Sequence, residues 1–413
     1  MRKTAAYIAM AVISSDREMS DFSISDVVTA VRDVVPDKGA AAELHEPEFS
    51  GNEWKYIKSC LDEGWVSTAG SFVDRFEEGL AAATGATHAI ATINGTAALH
   101  AALTVGGVKS GDEVLVPSLT FVATANAVRY CGAEPHFVDC ESQSLGIDAT
   151  KLESYLDSIA DTDGQELRNR KSGRPIRALV SVHLFGHPSD MAAISGLAGR
   201  FKLTVIEDAT EALGSRAGGK PVGGDGLMAA LSFNGNKIIT TGGGGAILTN
   251  NDAVASHARH ITTTAKVAHT LALEHDEVGF NYRMPNINAA MGVAQLEKLN
   301  GILERKQALA EAYRKAFEHI PGVTFHDQPP GTQSNFWLNT ILLDPQHAPQ
   351  RDSLIHTLHE NGLMCRPAWT PMHRLPMYRD CPAMPLETTE EVFPRLVCLP
   401  SSPYLSPLSA SKS

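Results

Sequence analysis

Short apolar runs alternate with stretches of helical periodicity along most of the chain. The runs at 135–139, 177–185 and 203–208 predict strands, and the longer periodic segments between them predict helices. This alternation is typical of a mostly parallel sheet covered by helices. Ligands of such sheets bind beyond the carboxyl ends of the strands. The residues that directly follow each run are therefore the first candidates for a functional site.

Two further segments each predict a strand, a turn and the start of a helix. In the segment 89–99, Asn94 and Gly95 form the turn and Thr96 caps the helix. The backbone N–H groups of Thr96 and Ala97 would then be free to bind an anion at the positive end of the helix dipole. From this segment alone, the alternative interpretation is an ordinary strand-to-helix turn that binds no anion.

The second of these segments, 112–128, has a strand, a loop and a helix in the same order. Phe121 lies where the strand gives way to the helix, so its ring can stack on a flat ligand. The alternative is that Phe121 is an ordinary residue of the hydrophobic core. Because Phe121, Asp208 and the Asn94 turn all fall at predicted carboxyl ends of strands, the pattern favours one shared site.

The rest of the pattern predicts helices at 54–61, 71–83, 252–262 and 351–362, and strands at 246–250 and 336–343. The stretch 279–299 passes from a loop into a long helix, which continues to about residue 320 and links two domains. The polar segment 157–175 is interpreted as a surface excursion, and the end of the chain, 401–413, as a frayed tail.

The first residues allow two interpretations. Residues 1–13 resemble a short secretory signal, but no small-residue cleavage site follows them. Translation from Met19 is the second interpretation, and the segment 20–35 then predicts an amphipathic helix capped by Ser25, with a linker over 36–42. No apolar run is long enough to span a membrane. The scattered cysteines fit a reducing compartment best, and we expect a cytoplasmic protein.

Composition narrows the possible partners. The 413 residues carry a formal net charge of −12 and no basic block, which argues against nucleic acid or an anionic membrane as the main partner. The six cysteines form no CxxC pair, so neither zinc nor a disulfide framework is indicated. His257 and His260 lie at helical spacing with no third ligand evident nearby. We interpret both as surface histidines and expect no metal.

The stretch 205–246 carries the most specific chemistry. An apolar run ends in Asp208, and further along Ser232 precedes Lys237, which is followed by four glycines at 242–245. A lysine on a glycine-flanked turn can form a Schiff base with pyridoxal 5′-phosphate (PLP). An acid leaving a buried strand can keep the pyridine nitrogen protonated, and the Ser232 hydroxyl can bind the phosphate. A surface lysine beside a flexible loop is the alternative.

Taken together, these motifs resemble the PLP-dependent sugar aminotransferases of the DegT/DnrJ/EryC1/StrS family over about residues 44–402. The motifs are NGTAAL (94–99), GDEVLVPSLTFVATANAV (111–128), SVHLFGHPSDM (181–191), VIEDATEALGS (205–215), SFNGNK (232–237) and GFNYRM (279–284). The resemblance implies a type I PLP aminotransferase fold, an α/β fold with a seven-stranded, mostly parallel sheet in the large domain and a smaller C-terminal α/β domain. The expected divisions are an N-terminal extension at 1–43, the large domain at 44–295 and the small domain at 296–413.

The resemblance also implies roles for single residues. Lys237 would be the catalytic Schiff-base lysine and Asp208 the partner of the pyridine nitrogen. The other cofactor contacts of the same chain would be Gly95, Thr96, Ala97, Phe121, Glu211 and Ser232. Asn281 would reach the phosphate in the neighbouring subunit, so the resemblance implies a homodimer with shared active sites.

Two positions depart from much of the family. Glu211 stands where Gln is common, facing the cofactor's 3′-oxygen, and Gly243 stands where Glu is common. A carboxylate would repel an anionic oxygen, so Glu211 must be protonated, bridge through water, or face a protonated oxygen.

Within the family, the segments 44–77 and 232–245 look most like the LegC branch, which aminates nucleotide-linked 4-keto-6-deoxy sugars. The resemblance implies transfer of an amino group from L-glutamate, which leaves as 2-oxoglutarate, to a sugar such as UDP-4-keto-6-deoxy-N-acetylhexosamine. The pathway would be cell-surface polysaccharide or nonulosonic acid biosynthesis. The exact sugar, the nucleotide and the choice of C4 or C3 stay open. Candidate substrate contacts are Arg283, Arg366, Trp369 and His373.

Three alternatives belong to other classes. A PLP-dependent sugar dehydratase carries His at the lysine position, so Lys237 argues against it. A PLP-binding transcription regulator needs a basic DNA-binding domain, and residues 1–40 are too short and not basic. A non-catalytic scaffold has no need of Lys237 together with Asp208.

Overall fold

The computed structural model describes residues 22–36, 39–164, 166–267 and 272–412. Its α-helices are Ile24–Val34, Glu53–Glu63, Ser71–Thr84, Gly95–Val105, Val122–Tyr130, Ala149–Ile159, Met191–Phe201, Asp252–Thr262, Asn286–Leu296, Leu299–Phe317, Arg351–Glu360 and Glu387–Val392. Within these ranges, no helix has the length and apolar character needed to cross a bilayer.

A large sheet forms the centre of the molecule. From one edge its strands are His88–Thr92, Gly245–Thr249, Met228–Ser232, Thr204–Asp208, Pro175–Val182, Glu113–Pro117 and Glu134–Val138. Gly245–Thr249 runs antiparallel to both of its neighbours, and the other pairs along this path are parallel. The central strands are buried along nearly their whole length because helices cover both faces. The predicted seven-stranded, mostly parallel sheet is therefore present.

A hairpin extends this sheet where the sequence predicts a surface excursion. Its strands are Ala160–Asp163 and Glu166–Asn169, and the second pairs with the beginning of Pro175–Val182. Leu167 lies opposite Ile176, and both side chains are buried. Most of the segment 157–175 is exposed, as expected of a surface excursion, but its regular strand pairing was not predicted because it joins residues on either side of a turn.

A second, antiparallel sheet lies towards the C-terminus. Its strands, in order, are Val323–His326, Asn339–Leu343, Leu396–Leu399 and Arg366–Pro367. Helices Leu299–Phe317 and Arg351–Glu360 pack on it, and so does the first helix, Ile24–Val34, through buried residues such as Val27 and Val31. The boundaries proposed for the extension and the two domains stay a prediction.

The cap of the first helix lies two residues earlier than predicted. Ser23, not Ser25, is the N-cap, and its Oγ accepts a hydrogen bond from Asp26 N at 3.3 Å. Ser25 lies inside the first turn, where its carbonyl accepts from Thr29 Oγ1. The expectations for residues 1–13 and for Met19 lie outside the described residues.

Two C-terminal predictions are also corrected. The long helix expected up to residue 320 is two helices, which meet at Lys298, where φ is −103°. The tail expected from residue 401 is packed at its beginning, since Ser401 and Leu405 are buried. Ser401 Oγ accepts from Asn339 N at 2.8 Å, so tertiary hydrogen bonds hold this segment against the second sheet.

Candidate active site

The parallel strands converge on one cavity of about 270 Å³. Five strands contribute residues to its lining at or just beyond their carboxyl ends, as expected for such a sheet. These strands end at Thr92, Pro117, Val182, Asp208 and Ser232. Of the residues singled out in the sequence, the lining contains Gly95, Thr96, Phe121, Asp208, Glu211, Ser232, Lys237 and Trp369.

Lys237 lies in a tight turn beyond the strand Met228–Ser232. Its backbone N–H donates to Asn234 O at 3.0 Å. Its Nζ lies 3.6 Å from Glu211 Oε1 and 3.8 Å from the centroid of the Trp337 ring. Burial lowers the pKa of the Lys237 ammonium, although the nearby carboxylates of Glu211 and Asp208 oppose this shift. A larger share of Lys237 is therefore the neutral amine, which is the nucleophilic form.

Glu211 is the buried neighbour of this lysine. Its Oε2 accepts a hydrogen bond from Phe185 N at 2.8 Å. Phe185 has a φ of 56°, an uncommon value for a residue with a side chain, and this conformation orients its N–H towards Glu211. Burial raises the pKa of Glu211 to about 7, against the opposing effect of the Lys237 charge. Of the three states considered for Glu211, the structure favours a carboxyl group that holds a proton near neutral pH.

Asp208 is held at the end of its strand by two donors. Thr124 Oγ1 donates to its Oδ2 at 2.7 Å, and Thr210 N donates to its Oδ1 at 3.2 Å. Both bonds fix the orientation of the carboxylate. An oriented, buried carboxylate of this kind suits a protonated ring nitrogen. Thr124 was missed in the sequence, although its place one turn into the helix after Phe121 is a signal that could have revealed it.

The start of the helix Gly95–Val105 forms an anion cradle. Asn94, not Thr96, caps this helix, because Asn94 Oδ1 accepts from Ala97 N at 2.8 Å. The expectation that the Ala97 N–H is free is therefore wrong. In the part of the chain that the structure describes, the N–H groups of Gly95 and Thr96 have no acceptor. A Cβ on Gly95 would lie 2.8 Å from Ser232 Cβ, so glycine lets the helix start approach Ser232 closely and brings these N–H groups near the Ser232 hydroxyl, where a phosphate could bind.

The glycine run at 242–245 meets this cradle at its last residue. Gly242 has a φ of 79°, which favours glycine. A Cβ on Gly245 would lie 2.5 Å from the backbone of Asn94. The run is therefore a tight structural turn beneath the cradle, not a flexible surface loop.

Aromatic rings close the other side of the cavity. The Trp337 and Trp369 rings are stacked with centroids 6.2 Å apart, and Phe185 stacks on Trp369 at 5.3 Å. Phe121 meets Trp369 edge-on at 5.9 Å and is 48% exposed at the mouth of the cavity. Trp337 Nε1 donates to Asn236 O at 2.6 Å. This wall shields one side of Lys237 from solvent and leaves its side chain 13% exposed. Trp337 was missed because only the fold brings it from the second sheet.

Two of the candidate substrate contacts are engaged elsewhere. Arg283 Nη1 lies 3.8 Å from Glu77 Oε1, away from the cavity. His373 uses both ring nitrogens, with Nδ1 at 2.6 Å from Ser118 Oγ and Nε2 at 2.6 Å from Glu390 Oε1. Burial lowers the pKa of His373. Because both ring nitrogens are already paired, the structure does not support His373 as a substrate contact.

Two further candidates are exposed and do not line the cavity of their own chain. Arg366 lies on the short edge strand Arg366–Pro367. Asn281 forms a backbone bridge with Thr263 and faces solvent. The geometry of a single chain therefore does not test the expected contact of Asn281 with a neighbouring subunit.

The arrangement fits PLP. Lys237 would hold its carbonyl carbon, Asp208 its ring nitrogen, Phe121 its ring face, and Ser232 with the Gly95 and Thr96 backbone its phosphate. When bound, PLP supplies an electron sink for a carbanion at the substrate carbon. Fold and site together define the class of the protein as a lysine-dependent PLP enzyme with an aminotransferase-type architecture.

Comparison with known sequences makes this assignment specific. The sequence profile of the DegT/DnrJ/EryC1/StrS aminotransferase family matches residues 47–412. The chain belongs to this family and is a PLP-dependent sugar aminotransferase. The predicted family, fold, enzyme class and cofactor are thereby confirmed. The aminotransferase assignment replaces the dehydratase, regulator and scaffold alternatives.

Individual relatives and a solved structure are consistent with this family assignment. The chain is 37% identical over 365 residues to a GDP-perosamine synthase of Vibrio cholerae, covering 88% of this chain and 94% of that protein. It is 39% identical over 333 residues to a GDP-perosamine synthase of Caulobacter vibrioides, covering 80% and 85%. Among solved structures, a DegT DnrJ EryC1 StrS aminotransferase from Brucella abortus matches with a TM-score of 0.78 and 30% identity, over 87% of this chain and 93% of that one.

Proposed function

We propose that the chain transfers the amino group of L-glutamate to C4 of a UDP-linked 4-keto-6-deoxy-N-acetylhexosamine. The product would serve cell-surface polysaccharide or nonulosonic acid biosynthesis. The observation that carries the proposal is the Lys237 amine, buried 3.6 Å from Glu211 and beside the oriented Asp208 carboxylate.

The chain's own residues account for the proton transfers. Lys237 Nζ takes the proton from the donor's α-carbon and delivers it again on the cofactor side, and its lowered pKa suits this role of general base. Asp208 keeps its orientation between Thr124 and Thr210, where its carboxylate would pair with the ring nitrogen of the cofactor. Glu211 holds a proton beside Lys237 and can donate to an oxygen in the cavity. The aromatic wall keeps water away while the proton is on Nζ.

Support for the UDP-linked acetamido sugar comes from the LegC-like segments 44–77 and 232–245. The nucleotide lies far from the reacting ketone, so its binding energy positions the sugar against the amine. Trp369 is the substrate candidate that lines the cavity, and we propose that it contacts the sugar. Arg366 is exposed and has no ion-pair partner among the described residues, so it is the remaining candidate for the diphosphate.

A GDP-linked 4-keto-6-deoxyhexose without the acetamido group is the second candidate. One observation favours it: the relatives at 37% and 39% identity are named GDP-perosamine synthases.

We further propose that the active unit is a homodimer in which Asn281 completes the partner's site. Large apolar side chains on one surface support association of two chains. Trp54 is 78% exposed and Leu61 is 57% exposed, and these two residues lie two turns apart on the helix Glu53–Glu63.

The substrate proposal is tested by kcat/KM for UDP-, GDP- and dTDP-linked keto sugars with L-glutamate. We expect the UDP-linked acetamido sugar to be the best substrate, the free keto sugar to react very poorly, and NMR to place the new amine at C4. A better GDP- or dTDP-linked substrate would overturn the branch assignment, and an amine at C3 would overturn the proposed orientation of the sugar. Either result leaves the chemistry of Lys237 intact.

A further inference from the structure

A group of potential metal ligands lies on the surface away from the cavity. His257 and His260 are one turn apart on the helix Asp252–Thr262. The sequence shows no third ligand near them, but the fold brings Asp276 and Glu277 against the same helix face. Both acids belong to the segment that precedes Asn281.

The donor atoms are close enough to share one ion. His260 Nε2 lies 2.6 Å from Asp276 Oδ1 and 3.8 Å from Glu277 Oε1. The three donor atoms all lie within 4.8 Å of one another. Ligands at zinc bond lengths of about 2.0–2.2 Å in a tetrahedral arrangement are roughly 3.3 Å apart. The two separations from His260 lie on both sides of this value, so binding of an ion would require the side chains to shift by roughly 0.5–1.5 Å through rotamer changes.

The fourth residue, His257, contacts the carboxylate of Glu277 and is not itself one of the three ligands. His257 Nε2 lies 3.0 and 3.2 Å from the two oxygens of Glu277. A histidine that fixes a ligating carboxylate in this way orients it towards the ion. The side chains of His260, Asp276 and Glu277 are 28%, 60% and 40% exposed, so an ion and its remaining water ligands have access.

Charge also favours a cation at this place. Asp276 and Glu277 are adjacent in the chain and both face the pair of histidines. As isolated surface ion pairs these contacts would contribute little to stability. A divalent ion would instead neutralise both carboxylates and use the neutral imidazole as a ligand.

We propose that His260, Asp276 and Glu277 bind one divalent transition-metal ion of the Zn²⁺ class, with water completing its coordination and His257 holding Glu277. The mixed imidazole and carboxylate donors fit this class. The ion would join the helix Asp252–Thr262 to the segment 276–281. That segment is already tied to the helix by backbone bonds such as Phe280 N to Ile261 O at 2.6 Å.

The test is equilibrium dialysis of the full-length, cofactor-loaded protein against Co²⁺ after chelator treatment, with bound metal measured by mass spectrometry. We expect one site per chain that Zn²⁺ displaces. We expect His260→Ala and Asp276→Asn each to weaken the site at least 10-fold, and His257→Ala to weaken it about 10-fold, as for an outer partner.

The matched control is His356→Ala. His356 is another surface histidine, 3.2 Å from the carboxylate of Glu360 on the same helix, and it lacks further ligands in the described ranges. Its loss should leave Co²⁺ affinity unchanged. Equal affinity in the wild type, His260→Ala and Asp276→Asn would overturn the proposal, and so would an equal loss in His356→Ala. Circular dichroism of each variant checks that it is folded.

Discussion

At the residue scale, the site depends on two buried groups that modify each other. Lys237 and Glu211 lie 3.6 Å apart, and burial disfavours the charge on both. A neutral amine beside a protonated carboxyl group is thus accessible near neutral pH. This state provides a base at Lys237 Nζ and a proton donor at Glu211 in the same small cavity.

Because of Glu211, the free energy of unfolding of the cofactor-free protein should depend on pH. Because its folded pKa of about 7 is above the ordinary value of 4.5, the folded state retains a proton that the unfolded chain releases. This contribution to stability is present below pH 4.5 and is lost as pH rises through 7. Relative to Glu211→Gln, the wild type should therefore lose stability between pH 5 and pH 8, by at least about 1 kcal/mol.

Thermal unfolding of both proteins across this pH range checks the prediction. Glu304→Gln, which changes an exposed carboxylate, is the control and should show a constant difference from the wild type. A pH-independent difference between wild type and Glu211→Gln would show that Glu211 is ionised throughout.

At the element scale, a buried lysine connects the second sheet to the helix Leu299–Phe317. Lys306 Nζ donates to Trp337 O at 3.0 Å and also to Ser401 O. Burial lowers the pKa of Lys306 well below its ordinary value. Since Trp337 faces Lys237 across the cavity, Lys306 also supports one wall of the site.

Lys306→Met should keep the apolar stem but leave two buried carbonyls without a donor. Each such carbonyl costs about 1–3 kcal/mol, so we expect a loss of roughly 2–6 kcal/mol in the free energy of unfolding. Lys315→Met on the same helix, where the side chain is 72% exposed, should change it by no more than about 0.5 kcal/mol. Urea unfolding monitored by fluorescence measures both, and an unchanged midpoint for Lys306→Met would contradict the account.

The local sequence pattern predicted those helices and strands that are specified by residues within the element itself. The helix Asp252–Thr262 and the strand ending at Asp208 agree with the sequence because periodicity and apolar runs define them. The hairpin at 160–169 was not predicted, because its stability comes from pairing Leu167 with Ile176. The packed residues after Ser401 were missed for the same reason, since their partners lie far away in the chain.

The same distinction holds within the site. Lys237 and Asp208 could be found because each stands in a local motif with a chemical meaning. Trp337 and Asn236 could not, because their relevance depends on tertiary contacts with those motifs. The metal-ligand group is a further case: its histidines are visible in the sequence, but the acids reach them only in the fold.

At the scale of the whole molecule, the dimer proposal predicts complementation. Lys237→Ala and Asn281→Ala should each be inactive or nearly so as pure dimers. In a mixed dimer, one of the two sites regains both residues, so an equal mixture should recover up to about one quarter of wild-type activity.

The measurement is steady-state activity after co-refolding or subunit exchange, with mixed dimers confirmed by two affinity tags. Absence of recovery in confirmed mixed dimers would contradict the shared site. A pure Asn281→Ala protein that retains normal activity would contradict it as well.

The central claim is that this chain moves an amino group to a nucleotide sugar by means of Lys237. The most direct measurement follows the nitrogen of L-glutamate labelled with ¹⁵N, incubated with UDP-4-keto-6-deoxy-N-acetylhexosamine. We predict a ¹⁵N-labelled amino sugar nucleotide and an equal amount of 2-oxoglutarate by mass spectrometry. Lys237→Ala should form neither product and should lack the visible absorption of lysine-bound cofactor. Failure to label any UDP-, GDP- or dTDP-linked keto sugar, or comparable turnover by Lys237→Ala, would contradict the account.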